Sequence, residues 1–327
     1  MRAIGLIQLA LLSVAVFTVL SAIVIALVYR HLRPRLAHVD PAQRSRLLAV
    51  LCMLPAIAAG GLTLLSLLPK AAGAAWPSLD HCADHSVGHP HLCMVHLPHF
   101  SGSVLSWSLT GALGAYLFAC VVRHLTRLSR QRRALRQLER TANPDPTRGV
   151  WVVETDAPFA WTTGIWRQRT LLSRGLLGSL PEEHISVVIE HERAHERRHD
   201  VLLRMGAALL SYAHFPRVRH QMLTDLELAT EQACDEEAGA RMGDRFLVAQ
   251  ALLGLERLLQ DSRGLAGAFI GGSSVVLRVE SLLSAPSPNV FHRKAERRLA
   301  IGAMGAMLLL ANPLHHLTET ILGLFAR

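Results

Sequence analysis

The chain has 327 residues, of which 50% are hydrophobic and only 5% aromatic, and its mean hydropathy of +0.28 sets it apart from an ordinary soluble domain. Its net charge of +9 would suit nucleic acid, but the arginines gather at the ends of apolar runs, so direct nucleic-acid binding is not expected.

Ile4 to Tyr29 is an almost unbroken apolar run. A spanning helix needs about 20 such residues and a signal-peptide core only about 7–15, so the run reads as an anchor that stays. A loop with Arg30, Arg33, Arg35, Arg44 and Arg46 leads to a second span, Leu47 to Leu68. The next loop, Lys70 to Phe100, is expected outside. It holds Cys82 and Cys93, able to close a disulfide in an oxidising compartment, and His81, His85, His89, His91, His96 and His99. The spacing of His81, His85 and His89 suits a metal or a pH sensor; a polar, disulfide-pinned loop is the plainer reading. Ser103 to Val122 is a third span, rich in small residues, and Arg123, Arg127, Arg130, Arg132, Arg133 and Arg136 follow it. Cys52 and Cys120, inside spans, read as small apolar packing residues.

Pro181-Glu182-Glu183 opens a helix, since proline suits a first helical position and acids suit a first turn. That helix carries His191-Glu192-Arg193-Ala194-His195. Histidines four apart share a face and can grip one ion, with Glu192 beside it to take a proton from an attacking water. His199 repeats the spacing, but eight residues put it about 12 Å from His191 along the axis, too far to share an ion with bonds of about 2.1 Å. A His195–His199 pair would lack a glutamate in the same order, so His199 is expected to be structural. Val201 to Leu210 is too short to span and carries Arg204, so it reads as core packed near the membrane.

A third ligand is expected from the helical stretch Leu226 to Glu237. Glu231 can reach the ion, and Asp235, four residues on, can accept the outer N–H of a ligand histidine. Glu227 competes as third ligand. His214 and His220 are weak candidates for an oxyanion donor. Arg293, Lys294, Arg297 and Arg298 precede a fourth apolar segment, Leu299 to about Phe325, broken by Asn312-Pro313. It reads as a span, with a helix lying on the membrane surface as the alternative. All three basic clusters fall on one side, the expected cytoplasmic side, where the histidine helix also lies.

Asp156-Ala157-Pro158-Phe159-Ala160-Trp161, Gly164 through Leu177, the histidine helix through Arg198-His199-Asp200, and Glu231-Gln232-Ala233-Cys234-Asp235 together resemble the BlaR/MecR-type membrane zinc metallopeptidases, a gluzincin-like family. The resemblance covers about Val150 to Ala240, and Gln168 stands where that pattern expects proline. It implies Zn2+ held by His191, His195 and Glu231, Glu192 as general base, Asp235 in support and Cys234 buried and reduced. It also implies a small sheet, fitting Val150 to Val153 and Phe159 to Thr163, whose edge pairs with an extended substrate. The implied substrate is a cytoplasmic protein, a transcriptional repressor being the family's example, cut in signal transduction. Sensor members carry a penicillin-binding domain after the last span. Here the sequence ends at Arg327, and no Ser-x-x-Lys exists because Leu67 and Phe291 stand three before Lys70 and Lys294, so sensing through an acyl-serine is not expected.

The expected fold is thus an α-helical integral membrane protein of about four spans with a cytoplasmic α+β zincin-like metallopeptidase domain, in the plasma (inner) membrane. Residues 1–125 form the membrane region with the exported loop 70–101, residues 126–298 the peptidase domain, and residues 299–327 the fourth span and a short tail. The alternative is a non-catalytic signalling or metal-sensing membrane protein with a vestigial zinc site.

Overall fold

The computed structural model describes residues 2–67, 104–164, 168–263 and 272–284, together with Gly302, Gly305 and Pro313. The loop expected to be exported, its cysteines and histidines, and nearly all of the fourth apolar segment lie outside the described residues.

Among the described residues, three helices are long and apolar enough to cross a membrane: α1 (Arg2–Leu36), α2 (Pro41–Leu67) and α3 (Val104–Thr141). Large apolar side chains point outward along them, among them Val24 and Leu27 on α1, Ile57 on α2 and Phe118 and Val121 on α3. In water that exposure would be costly; in lipid it is the ground state. Each helix outruns its apolar run. α1 continues through the basic loop to Leu36, and α3 runs uninterrupted across Leu125 and Thr126 to Thr141 on a stretch of arginine, leucine and glutamine, all good helix formers. Asp40 caps α2, its Oδ1 accepting from the Gln43 N–H at 3.0 Å, and Pro41 takes the first helical position.

After α3 comes a four-stranded sheet: β1 (Ala142–Asp145), β2 (Val150–Val153), β3 (Ala160–Thr163) and β4 (Arg169–Ser173), in the order β1-β2-β4-β3. β2 and β4 run parallel, and β1 and β3 are antiparallel edges. The expected strands at 150–153 and 159–163 are therefore present, joined by two more. β1 reads Ala-Asn-Pro-Asp, poor strand material that is tolerated at an edge.

Helices follow: α4 (Arg174–Ser179), α5 (Glu182–Arg198), α6 (Asp200–Leu210), α7 (Pro216–Met242), α8 (Arg245–Arg263) and α9 (Gly272–Leu283). One apolar core joins the sheet to α4 and α5 through Val150, Val152, Leu172, Leu176, Ile185 and Val188. Another joins α5, α7, α8 and α9 through Val187, Ala238, Val248, Leu252 and Leu282. The third ties the membrane helices to the rest: Ile25, Tyr29, Leu48 and Cys52 pack on Ala207, Met222, Leu226 and Ala229. α6 is thus core against the membrane helices, as its length suggested. Asp225 on α7 accepts from Tyr29 at 2.6 Å and from Arg33 Nε and Nη2 at 2.7 and 3.1 Å, so α7 is bonded directly to α1.

Candidate metal centre

α5 and α7 bring the expected ligands together. Pro181 sits at the N-cap of α5, one place earlier than expected, and Glu182 and Glu183 fill the first turn. The helix buries Ile185, Val188 and Ile189 against the sheet, which turns His191 and His195 toward α7. α5 ends at His199 in the left-handed conformation, φ 53°, the one non-glycine positive φ among the described residues. His199 is therefore a structural turn residue. The reversal throws Asp200, first residue of α6, back onto the helix it has just left, and Asp200 Oδ2 lies 2.8 Å from His195 Nδ1.

Both imidazoles present Nε2 to one carboxylate. His191 Nε2 lies 3.4 Å from Glu231 Oε2 and His195 Nε2 lies 3.6 Å from Glu231 Oε1. The rings meet edge to face, with centroids 4.9 Å apart. Four ligands at tetrahedral angles and bond lengths of about 2.0–2.1 Å stand about 3.3–3.4 Å from one another, so these separations fit one Zn2+-sized ion. Each outer nitrogen faces a buried carboxylate. His195 has Asp200, and His191 Nδ1 lies 2.9 Å from Asp235 Oδ1, at hydrogen-bonding distance though off the ideal N–H direction. Such partners fix ring orientation and free Nε2 for the ion. Glu227 is not in this group.

Buried carboxylates and guanidiniums set the charge around the two imidazoles. Burial pushes the His191 imidazole down, but Asp235 and Glu231 outweigh it and hold it up to about 10. Burial pushes Glu231 up, yet His191, Arg278 and His195 hold its carboxyl well below the usual range. Burial likewise pushes Asp235 and Asp200 up, and Arg278 for the one and His195 for the other bring them below it. Cys234 Sγ lies 3.3 Å from His195 Nδ1 and 3.4 Å from Asp200 Oδ2, so His195, Asp200 and Cys234 form a second group with ligand-like spacing. Burial and Asp200 push that thiol up, which disfavours the thiolate a metal needs. Its nitrogen is also the one already anchored, so the Nε2 pair with Glu231 is the better ion site.

Glu192 is buried beside the histidines, and its Oε2 accepts from the Thr162 hydroxyl at 2.7 Å. Two guanidiniums flank Glu231: Arg204 Nη2 donates to Oε1, and Arg278 Nη1 lies 3.4 Å from Oε2. A cavity of about 210 Å³ opens onto His191, Glu192, Glu231, Asp235 and Arg278. Phe159 with Ala160 and Trp161 of β3 forms one wall, and Val248, Leu252, Leu255 and Leu259 of α8 the other. A larger cavity of about 310 Å³, lined by Arg33, Arg44, Leu48 and Leu228, lies at the α1–α2–α7 junction away from the histidines.

Neither His214 nor His220 lines the site cavity. His214 is buried and its Nε2 lies 3.0 Å from the Leu51 carbonyl, the group that Pro55, lacking an N–H, leaves without its helical donor. His220 is exposed. Thr162, Asp200, Arg204 and Arg278 were not anticipated as site residues. Asp200 had a signal in its place directly after the histidine helix; the other three act across long separations in sequence.

Residues 105–262 match the family model described as BlaR1 peptidase M56. No curated protein and no solved structure matches the chain.

Proposed function

We propose, from the match of residues 105–262 to the BlaR1 peptidase M56 model, that this membrane protein is a zinc metalloendopeptidase that cuts a cytoplasmic protein, such as a transcriptional repressor, in signal transduction. The observation that carries the reading is the convergence of His191 Nε2, His195 Nε2 and the Glu231 carboxylate at separations of 3.4 and 3.6 Å, with Glu192 alongside in the same cavity.

Bound there, zinc would supply Lewis-acid polarisation of the scissile carbonyl and a water made acidic enough to attack near neutral pH. The chain's own groups do the rest. Glu192 takes the proton of the attacking water and delivers it to the leaving amine, and the Thr162 hydroxyl holds its carboxylate in place for both transfers. Asp200 and Asp235 keep the two imidazoles facing the ion. The free edge of β3 offers backbone N–H and C=O groups to an extended peptide, and the apolar cavity wall receives one of its side chains.

In this reading four spans hold the chain in the plasma membrane and the centre faces the cytoplasm. Arg30, Arg33 and Arg35 after the first span, with Arg123 and Arg127 after the third, support that side. The peptidase domain at 126–298 would be packed on, rather than tethered to, the membrane region at 1–125, given the shared core of α1, α2, α6 and α7. Proteomics of membrane-expressing cells, wild type against Glu192→Gln, tests the function. A protein cut only by the wild type supports it; identical proteomes and identical signalling would point to a non-catalytic role.

A further inference from the structure

We propose that Arg278, on a helix outside the family-matched segment, is a positioning residue of the metal centre: it sets the plane of Asp235, and through Asp235 the orientation of the His191 ring. The proposal rests on the metallopeptidase reading and extends it to a fourth helix. Arg278 Nε donates to Asp235 Oδ2 at 2.7 Å and Nη2 donates to Oδ1, also at 2.7 Å. That parallel pair fixes the carboxylate as a plane, which a point charge does not do. Oδ1 is the oxygen that lies 2.9 Å from His191 Nδ1, so the fork decides what the imidazole meets. The third nitrogen, Nη1, lies 3.4 Å from Glu231 Oε2, the oxygen facing His191 Nε2. One guanidinium therefore touches both carboxylates that face His191.

Burial makes the contact consequential. The side chains of Arg278 and Asp235 are 13% and 1% exposed, so water does not compete for the carboxylate. The helix that carries Arg278 is firmly seated. The Leu277 carbonyl accepts from Gln232 Nε2 at 2.9 Å, one residue from Glu231, and the Ser281 and Ser284 carbonyls accept from Arg245 at 2.9 and 2.8 Å. α9 is thus tied to the helix bearing Glu231 and Asp235 at its middle and to α8 at its C-terminal end.

The test is zinc affinity of the full chain in detergent, measured by competition with a chromophoric chelator, with thermal unfolding of each variant alongside. Arg278→Met keeps length and packing but removes the fork; it is expected to weaken zinc binding about 10- to 100-fold, the usual effect of losing an outer partner. Arg278→Lys, which keeps the charge and secures folding, is expected to recover less than half of that loss on a logarithmic scale. If Arg278 acts through Asp235, the double variant with Asp235→Asn binds zinc within about twofold of Asp235→Asn alone. Unchanged affinity in Arg278→Met, full recovery by Lys, or additive losses in the double variant would overturn the proposal while leaving the metal centre intact. A wild-type chain that binds no zinc would overturn both it and the metallopeptidase reading.

Discussion

Thr162→Val should separate the base from the ligands. The hydroxyl of Thr162 lies 2.7 Å from Glu192 Oε2 and 3.0 Å from the Glu192 carbonyl, so both of these bonds go to the base rather than to an ion ligand. Valine has nearly the same shape and suits a strand, so β3 should persist. The change deletes one hydrogen bond to an ionised group, worth about 1.5–3 kcal/mol when buried. If that energy serves to hold Glu192 in its proton-accepting position, kcat on a peptide substrate falls about 10- to 150-fold. KM and zinc content should stay near wild type, since neither the cavity walls nor the ion ligands are altered. The assay is steady-state hydrolysis of a quenched fluorescent peptide by the detergent-solubilised chain, with metal analysis of the same sample. A kcat within twofold of wild type, or loss of zinc, would refute the assignment of Thr162 to Glu192.

Three further outcomes follow from the geometry. Asp200→Asn removes the charge behind His195 Nδ1 while keeping the side-chain shape, so zinc affinity should fall about 10- to 100-fold, read by chelator competition; an unchanged value would contradict the anchoring role. Gly175→Ala would place a Cβ 2.0 Å from the Asp156 carbonyl oxygen, so the loop ahead of Phe159 must move; a loss of about 1–3 kcal/mol is expected in thermal unfolding, and an unshifted Tm would count against this contact. Burial pushes Asp225 up, but Arg33 and Tyr29 outweigh it and hold it below its usual 3.8. A depressed carboxylate stabilises the fold fully above that usual value and loses its contribution as pH falls through the lower folded value, so Asp225→Asn should flatten the acid limb of a stability profile. A limb unchanged in the variant would show that the link to α1 adds no stability.

How much of this was legible follows from range in sequence. The His191–His195 pair and the Glu231–Asp235 pair were readable because each lies within one helical turn, where spacing fixes which side chains share a face. The three membrane helices were readable because lipid demands about 20 apolar residues without a break. β1 was not, because Asn143, Pro144 and Asp145 are poor strand formers and its pairing with β2 comes from the tight turn at Gly149. Asp200 was adjacent to the motif, yet its role depends on the left-handed turn at His199, a conformation uncommon for any residue but glycine and one that ligand spacing does not reveal. Arg278 stands 43 residues beyond its partner Asp235, and nothing local marks it as different from any other helical arginine. His214, a weak candidate for an oxyanion donor, lies against the Leu51 carbonyl instead, for a reason written far upstream at Pro55.

The most direct measurement is metal analysis of the purified full chain beside two variants, Glu192→Gln and Glu231→Ala. The account predicts about one zinc per wild-type chain, the same content with no peptide cleavage in Glu192→Gln, and little or none in Glu231→Ala. A wild type without zinc, or a Glu231→Ala chain that keeps its full content, would contradict a centre built from His191, His195 and Glu231.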